Sequence, residues 1–264
     1  MAAIRSSLFL LLALAACEAE PPQGPANQAA AVAAALPEPA CESRRFEGSP
    51  FTICAYRRGE HEIRLAWKGA DGRPLRSLAA LEQALGPDAS RVRFAMNAGM
   101  YDEEGAPIGL YVEQGKTLKA VNIRSGPGNF HLLPNGVFAV ASDGSVSAAR
   151  STALRRLPPP HWATQSGPML VIEGKLHPKI DEDGPSRFVR NGVGVKDPRT
   201  AFFVISEEGV SFGRMARLFR DVLGCRNALY FDGSVSSLWD RGAGRQDLYS
   251  SLGPMVVVLE RKQP

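Results

Sequence analysis

Short apolar segments that stop on Gly-, Asn- or Asp-containing turns recur from Phe51 to Leu259, and only two stretches carry helical spacing. Residues 51–57 (FTICAYR) and 62–67 (EIRLAW) alternate apolar and polar side chains, the period of a half-buried strand. Further strands are predicted over 92–96, 108–113, 169–172, 201–205, 228–231 and 255–259, with a hairpin of 137–141 and 146–149 about Asp143-Gly144. Ser77 is placed to cap a helix that carries Leu78, Leu81 and Leu85 on one face, and Gly86-Pro87 stops it. Met215, Leu218, Phe219, Val222 and Leu223 mark a second helix, ended by Gly224. Many short strands with few helices predict an α+β, sheet-dominated single domain. An internal echo is also legible. LEQALGPDASRVRFAMNAGM and RLFRDVLGCRNALYFDGSVS share an order of helix, Gly, apolar strand and polar Gly-containing loop. Such halves would turn both loops toward one cleft.

Composition narrows the class. With 44% hydrophobic and 22% charged residues, the chain is long enough and apolar enough to bury a core. No apolar run is long enough for a multi-pass membrane protein. A net charge of +4, with the basic residues scattered and no aromatic interleaving, does not build a nucleic-acid platform.

The first forty residues read as targeting rather than fold. Arg5 precedes an apolar stretch from Leu8 to Leu14, and Leu14-Ala15-Ala16-Cys17 resembles a bacterial lipobox. Residues 1–16 are therefore expected to be a lipoprotein signal peptide, with Cys17 lipidated. Residues 17–40 are expected to be an Ala/Pro-rich tether, and 41–264 the folded domain. This places the protein in the bacterial cell envelope, on the periplasmic face or outer membrane of a Gram-negative cell, as a monomer held by its lipid. In an oxidising compartment Cys41 and Cys54 are candidates for a disulfide, and Cys225 reads as a buried apolar residue.

Chemistry-bearing residues gather where apolar strands end. Asn97-Ala98-Gly99 follows one strand, with Asp102 beyond it. Gly126-Pro127-Gly128-Asn129-Phe130-His131 runs on to Asn135. Gln165-Ser166-Gly167-Pro168 does not fit the Gly-x-Ser-x-Gly nucleophile elbow. Arg190-Asn191-Gly192 pairs a cation with Gly-rich backbone, a reasonable anion clamp. Asp232-Gly233-Ser234-Val235-Ser236-Ser237 sets a carboxylate among hydroxyls, as a base, nucleophile or ligand would need. No metal-ligating pattern is complete, since Asp181-Glu182-Asp183-Gly184 lacks the later ligands of a calcium loop. No cofactor-binding motif is present.

In this order, FAMNAGMY, GPGNFHLLPNGVF, ATQSGPMLV, RNGVGV and ALYFDGSVSSL resemble the phosphodiester glycosidase family, across about 41–260. Asn97, Gly99, Arg190, Gly194, Asp232, Gly233, Ser236 and Ser237 fill matching places. Ala98, Asn191 and Ser234-Val235 depart from the family's Gly, Thr and paired glycines. The resemblance implies a hydrolase acting on a sugar-1-phosphodiester of the N-acetylglucosamine type, without a cofactor. The leaving group is then a phosphate monoester, so general-acid help matters less. The site needs a carboxylate for the oxocarbenium-like state or for water, with Asp232 first, and Asp102 or Asp240 as a second. It needs an anion clamp in Arg190. Asn97, Gly99, Asn129, His131, Asn135, Gln165, Ser166, Gly167, Asn191, Gly233, Ser234, Ser236 and Ser237 are the expected substrate-binding groups. The alternative from another class is a non-catalytic glycan- or phosphoglycan-binding envelope lipoprotein on the same scaffold.

Overall fold

The computed structural model describes residues 37–249 and 251–262. The signal peptide, the lipobox Cys17 and the tether up to residue 36 lie outside them.

Strands are numbered in chain order. A seven-stranded sheet runs β1 (Cys41–Phe46), β2 (Ser49–Arg57), β13 (Thr200–Ser206), β12 (Asn191–Asp197), β14 (Asn227–Tyr230), β10 (Met169–Ile172) and β11 (Lys175–Leu176). A second sheet orders β16 (Arg245–Gln246), β15 (Leu238–Asp240), β4 (Val92–Asn97), β17 (Met255–Glu260) and β3 (His61–Ala66). A third orders β6 (Lys116–Lys119), β5 (Tyr111–Glu113), β9 (Pro160–Ser166), β7 (Gly136–Ala141) and β8 (Val146–Arg150). Within each sheet the named neighbours pair antiparallel.

Two-residue alternation explains how the sheets stack. On β13, Ala201, Phe203 and Ile205 enter a core shared with all three sheets, where Phe94, Met96, Phe138, Trp162 and Val258 also lie. Val204 of β13 points the other way, into a layer with Met215, Leu218 and Phe219 of the second helical segment. Similarly, β17 sends Val256 and Val258 inward, and Val257 and Leu259 toward Leu78 and Leu81 of helix α1 (Leu78–Leu85). Ser77 caps α1 by accepting from Ala80 N at 3.1 Å. The second helix, α2 (Phe212–Arg217), is capped by Ser211 and runs into a π-turn over Leu218–Val222. The sheet-dominated α+β architecture is as the sequence pattern predicts.

Several predicted elements change at their ends. Ile108–Leu110 is not strand, because the Leu110 N–H donates to Gln165 Oε1 at 2.8 Å instead of to a ladder partner. The segment between the cysteines is a hairpin, with Cys41 opposite Cys54 and a disulfide joining them. The Gly-rich stretch after Arg190 is the central strand β12 rather than a loop. Its Gly192 leaves room for the Leu229 carbonyl, which a Cβ there would approach to 2.5 Å. The two echoed segments both run helix to strand to polar loop, and their loops meet.

Candidate active site

Each loop reaches the site from the end of a strand. Asn97 closes β4, Asn191 opens β12, and Asp232 follows β14 by two residues. Asn97 donates from Nδ2 to the Asp232 carbonyl at 2.6 Å, and the Asp232 N–H donates to the Ala98 carbonyl at 3.1 Å. Asn191 Nδ2 donates to Asn97 Oδ1 at 2.8 Å, and Ser237 N donates to the same oxygen at 2.9 Å. Ser236 Oγ donates to the Gly233 carbonyl at 3.0 Å and lies 3.4 Å from Asn191 Oδ1. This network is almost wholly buried. A satisfied buried amide pair is directional, so it fixes the loop that carries Asp232 rather than merely filling space.

The Asp232 carboxylate has one protein donor among the described residues, the Ser234 N–H at 3.2 Å. Burial raises its pKa above the usual aspartate range, and the backbone N–H and hydroxyl of Ser234 only partly oppose the rise. A poorly solvated carboxylate with spare lone pairs is poised to take a proton or face a developing cation.

Two tyrosines flank it. Tyr101 has a pKa raised first by burial and then by the Asp232 charge, and its ring lies 5.6 Å from the Arg76 guanidinium. Tyr230 is likewise raised by burial, while Arg190 pulls its pKa down and Asp232 pushes it up. Its hydroxyl occupies the space that a Cβ on Gly233 would need. Arg190 and Asp232 thus meet through Tyr230.

Arg190 is only 1% exposed. Its Nε donates to the Val210 carbonyl at 2.8 Å, Nη2 donates to Ser186 Oγ at 3.0 Å, and the guanidinium carbon sits 3.6 Å from the Phe212 ring centroid. It has no carboxylate partner among the described residues, and burial lowers its pKa. The expected open clamp is therefore a cation beneath the site.

The remaining candidates form a neighbouring network. Gln165 accepts at Oε1 from Leu110 N and Asn122 N, and donates from Nε2 to the Asn122 carbonyl and Ser151 Oγ. Asn135 donates to the Asn122 carbonyl at 3.1 Å. His131 Nδ1 is 2.7 Å from the Arg124 carbonyl, and Asn129 is exposed beside it. Gly99 packs on Thr164 and Gln165 where a side chain would not fit, and Gly167 packs in the same way on Asn135. Ser166 is fully buried, and its hydroxyl has no partner among the described residues.

The other two candidate carboxylates accept from backbone N–H groups. Asp102 accepts from Ala106 N at 2.8 Å in a local turn. Asp240 accepts from four backbone N–H groups, those of Ala40, Cys41, Gly242 and Ala243. Beside the Asp232 loop a cleft of about 380 Å³ is lined by Gly233, Ser234, Ser236, Glu207, Arg245 and Phe188 among others. Arg76, Tyr101, Tyr230 and Phe188 were not singled out by the sequence motifs. Tyr101 lies inside the NAGMY run, and Tyr230 directly precedes the FDGS run. Arg76 had no local signal, because it reaches Tyr101 only through the fold.

The model of the NAGPA phosphodiester glycosidase family matches residues 90–250, which span all these strand ends from Asn97 to Ser237. The chain belongs to the phosphodiester glycosidase family. A family relative is the Escherichia coli K12 protein YigE, 37% identical over 180 residues, covering 68% of this chain and 70% of that protein. The fold is similar to the catalytic domain of zebrafish N-acetylglucosamine-1-phosphodiester alpha-N-acetylglucosaminidase, in a form auto-inhibited by its pro-peptide. That match has a TM-score of 0.57 at 14% identity, over 84% of this chain and 82% of that one. A Burkholderia pseudomallei structure, described as an exported protein, matches with a TM-score of 0.52 at 10% identity, over 80% of this chain and 74% of that one.

Proposed function

We propose that this family member is a hydrolase that cleaves a sugar-1-phosphodiester, of the N-acetylglucosamine-1-phosphodiester type, in an envelope or extracellular glycan. The observation that carries the reading is the Asp232 carboxylate. It is raised in pKa by burial, holds one backbone hydrogen bond, and stands on the Asn97–Asn191–Ser237 network.

In the reaction, the bond between the anomeric carbon and the phosphate oxygen breaks. The phosphate monoester departs with the bonding electrons, and water supplies the new hydroxyl. Asp232 either takes the proton of that water or faces the oxocarbenium-like carbon. Tyr230 and Arg190 lie behind it. A cation beneath a tyrosine hydroxyl favours hydrogen-bond donation toward negative charge growing on the leaving phosphate. Ser236, Ser234 and the Gly233 backbone bind sugar oxygens, and Asp102, whose second carboxylate oxygen has no protein donor among the described residues, is the candidate second carboxylate.

The Cys41–Cys54 disulfide agrees with an extracytoplasmic location. Lipid attachment at Cys17, after removal of residues 1–16, would hold a monomeric enzyme at the membrane surface. The test follows sugar release from an N-acetylglucosamine 1-phosphodiester by the purified protein and by Asp232→Asn. Release by the wild type and its loss in the variant support the reading. Release unchanged in Asp232→Asn moves the carboxylate role elsewhere. A protein that binds the phosphodiester, with or without Asp232, but never releases sugar is the glycan-binding lipoprotein instead.

A further inference from the structure

The cleft beside the Asp232 loop has a chemistry of its own. Two of its lining residues are large aromatics open to solvent, Phe188 at 64% and Tyr249 at 59% exposure. Val189 and Leu248 extend the exposed apolar patch beside them. Exposed aromatics grouped at the mouth of a cleft, rather than scattered singly, mark a contact surface for something else. Phe188 is also held in place. Its backbone exchanges hydrogen bonds with Val210 in both directions, at 3.4 and 2.9 Å, and Arg190 lies 5.6 Å from its ring centroid.

The polar wall points to acceptors rather than to an anion trap. Arg245 donates to Glu207 Oε1 at 2.7 Å and to both oxygens of Asp247 at 3.0 Å. Leu238 N takes another lone pair of Asp247, which fixes that carboxylate further. With Arg245 the only cationic side chain lining the cleft among the described residues and already spent on two carboxylates, this lining carries a net negative charge. A phosphate has no free cation to meet there. Glu207 Oε2 receives no donor among the described residues, and Ser234 presents an exposed hydroxyl at the edge nearest Asp232. At about 380 Å³ the cleft lies within the range of about 300–1,000 Å³ of small-molecule sites.

We propose that this cleft is a subsite for an uncharged sugar ring, stacked on Phe188 and Tyr249 and hydrogen-bonded through its hydroxyls to Glu207 and Ser234. The proposal rests on the glycosidase reading above and deepens it. The flat apolar face of a pyranose suits the aromatic rings, and its hydroxyl donors suit a carboxylate wall. The same wall repels a uronic acid, and the phosphate must bind outside the cleft, on the Tyr101–Tyr230 side of Asp232.

Binding to the full-length protein tests this without turnover. N-acetylglucosamine, glucuronate and inorganic phosphate are titrated separately and followed by ligand-observed NMR. N-acetylglucosamine is expected to bind more tightly than glucuronate. Phe188→Ala and Tyr249→Ala are each expected to weaken it about tenfold, the scale of one aromatic contact, and to leave phosphate binding unchanged. Both side chains are exposed, so neither variant loses core packing. Phe188→Tyr is expected to keep the affinity. No binding of N-acetylglucosamine overturns the proposal, as does binding that both alanine variants leave unmoved. The two readings fail separately. Turnover of a phosphodiester with KM unaffected by Phe188→Ala and Tyr249→Ala retains the enzyme and removes the subsite. Sugar binding lost in those variants, in a protein that turns over no phosphodiester, retains the subsite and removes the enzyme.

Discussion

Asp232 is expected to make the protein less stable at neutral pH. A pKa raised in the folded state means that the native protein binds this proton more tightly than the unfolded chain does. Its stabilising contribution is therefore full below the ordinary aspartate value of 3.8, and is lost as pH rises through the raised value. At neutral pH the ionised carboxylate is a net cost. Asp232→Asn keeps an oxygen for the Ser234 N–H and removes the buried charge, so its Tm at pH 7 should exceed that of the wild type, with the gap closing as pH falls through the raised value and fully closed below 3.8. A variant no more stable than wild type at pH 7 would contradict the burial argument. Asn97 has the opposite character. Its amide serves the Asp232 carbonyl, Ser237 N and Asn191 Nδ2 at once. Asn97→Ala strands these buried groups, and urea unfolding should show a loss of about 2–4 kcal/mol, summed from about 1–3 kcal/mol for each unmet group with partial relaxation. Activity should fall with it, because the Asp232 loop loses its anchor.

At the scale of elements, alternation made β2 and β3 legible, and short apolar runs made β4, β7, β13 and β17 legible, since each sends side chains into the common core. Local pattern failed where the pairing came from far away. β12 looked like a loop because Gly192 and Gly194 carry no apolar side chain, yet it is central in its sheet with β13 and β14 on either side. β9 was hidden because its polar Thr164, Gln165 and Ser166 are all buried, which reads as surface in one dimension. The motif residues at the strand ends were legible for the same reason as the strands: small and polar residues interrupt apolar runs there. What they do was not legible. The Tyr230 bridge and the Arg76–Tyr101 stack join residues whose neighbourhood is set by sheet packing. Glycine separates the two kinds of constraint. Gly174 has φ +83° and open space where a Cβ would go, whereas Gly192 has ordinary φ and the Leu229 carbonyl in the way. Gly174→Ala is expected to cost about 1–2 kcal/mol of conformational strain. Gly192→Ala should cost about 3 kcal/mol, because the β14 backbone at Leu229 and Tyr230 resists the overlap. Only the second should lower kcat, by displacing the adjoining Asn191. Equal effects in thermal unfolding and in turnover would mean that β12 yields more easily than its pairing implies.

Across the whole molecule, the three sheets are held to one another chiefly by side chains, and Phe203 is where they meet. Its ring lies 5.4 Å from Phe94 of the second sheet, 5.6 Å from Phe138 of the third, and 6.5 Å from Phe231 just past β14 in its own. One residue therefore couples the strand that leads to Asp232 with the sheet that ends at Asn97. Truncation to alanine removes contacts to all three at once, and large-to-small changes at such sites cost about 3–5 kcal/mol. Against a typical total of about 5–15 kcal/mol, that is a large part of the stability. Two tryptophans report on the sheets separately, since Trp239 lies on β15 and Trp162 on β9. If the core is one cooperative unit, single-tryptophan versions of Phe203→Ala should unfold in urea at one lowered midpoint, with coincident curves from both probes. Activity should fall at urea concentrations below that midpoint, since the Asn97–Asp232 contact spans two sheets that the missing ring no longer ties together. Curves that separate, with the Trp162 sheet persisting after the Trp239 sheet has opened, would show instead that the second and third sheets unfold as independent units.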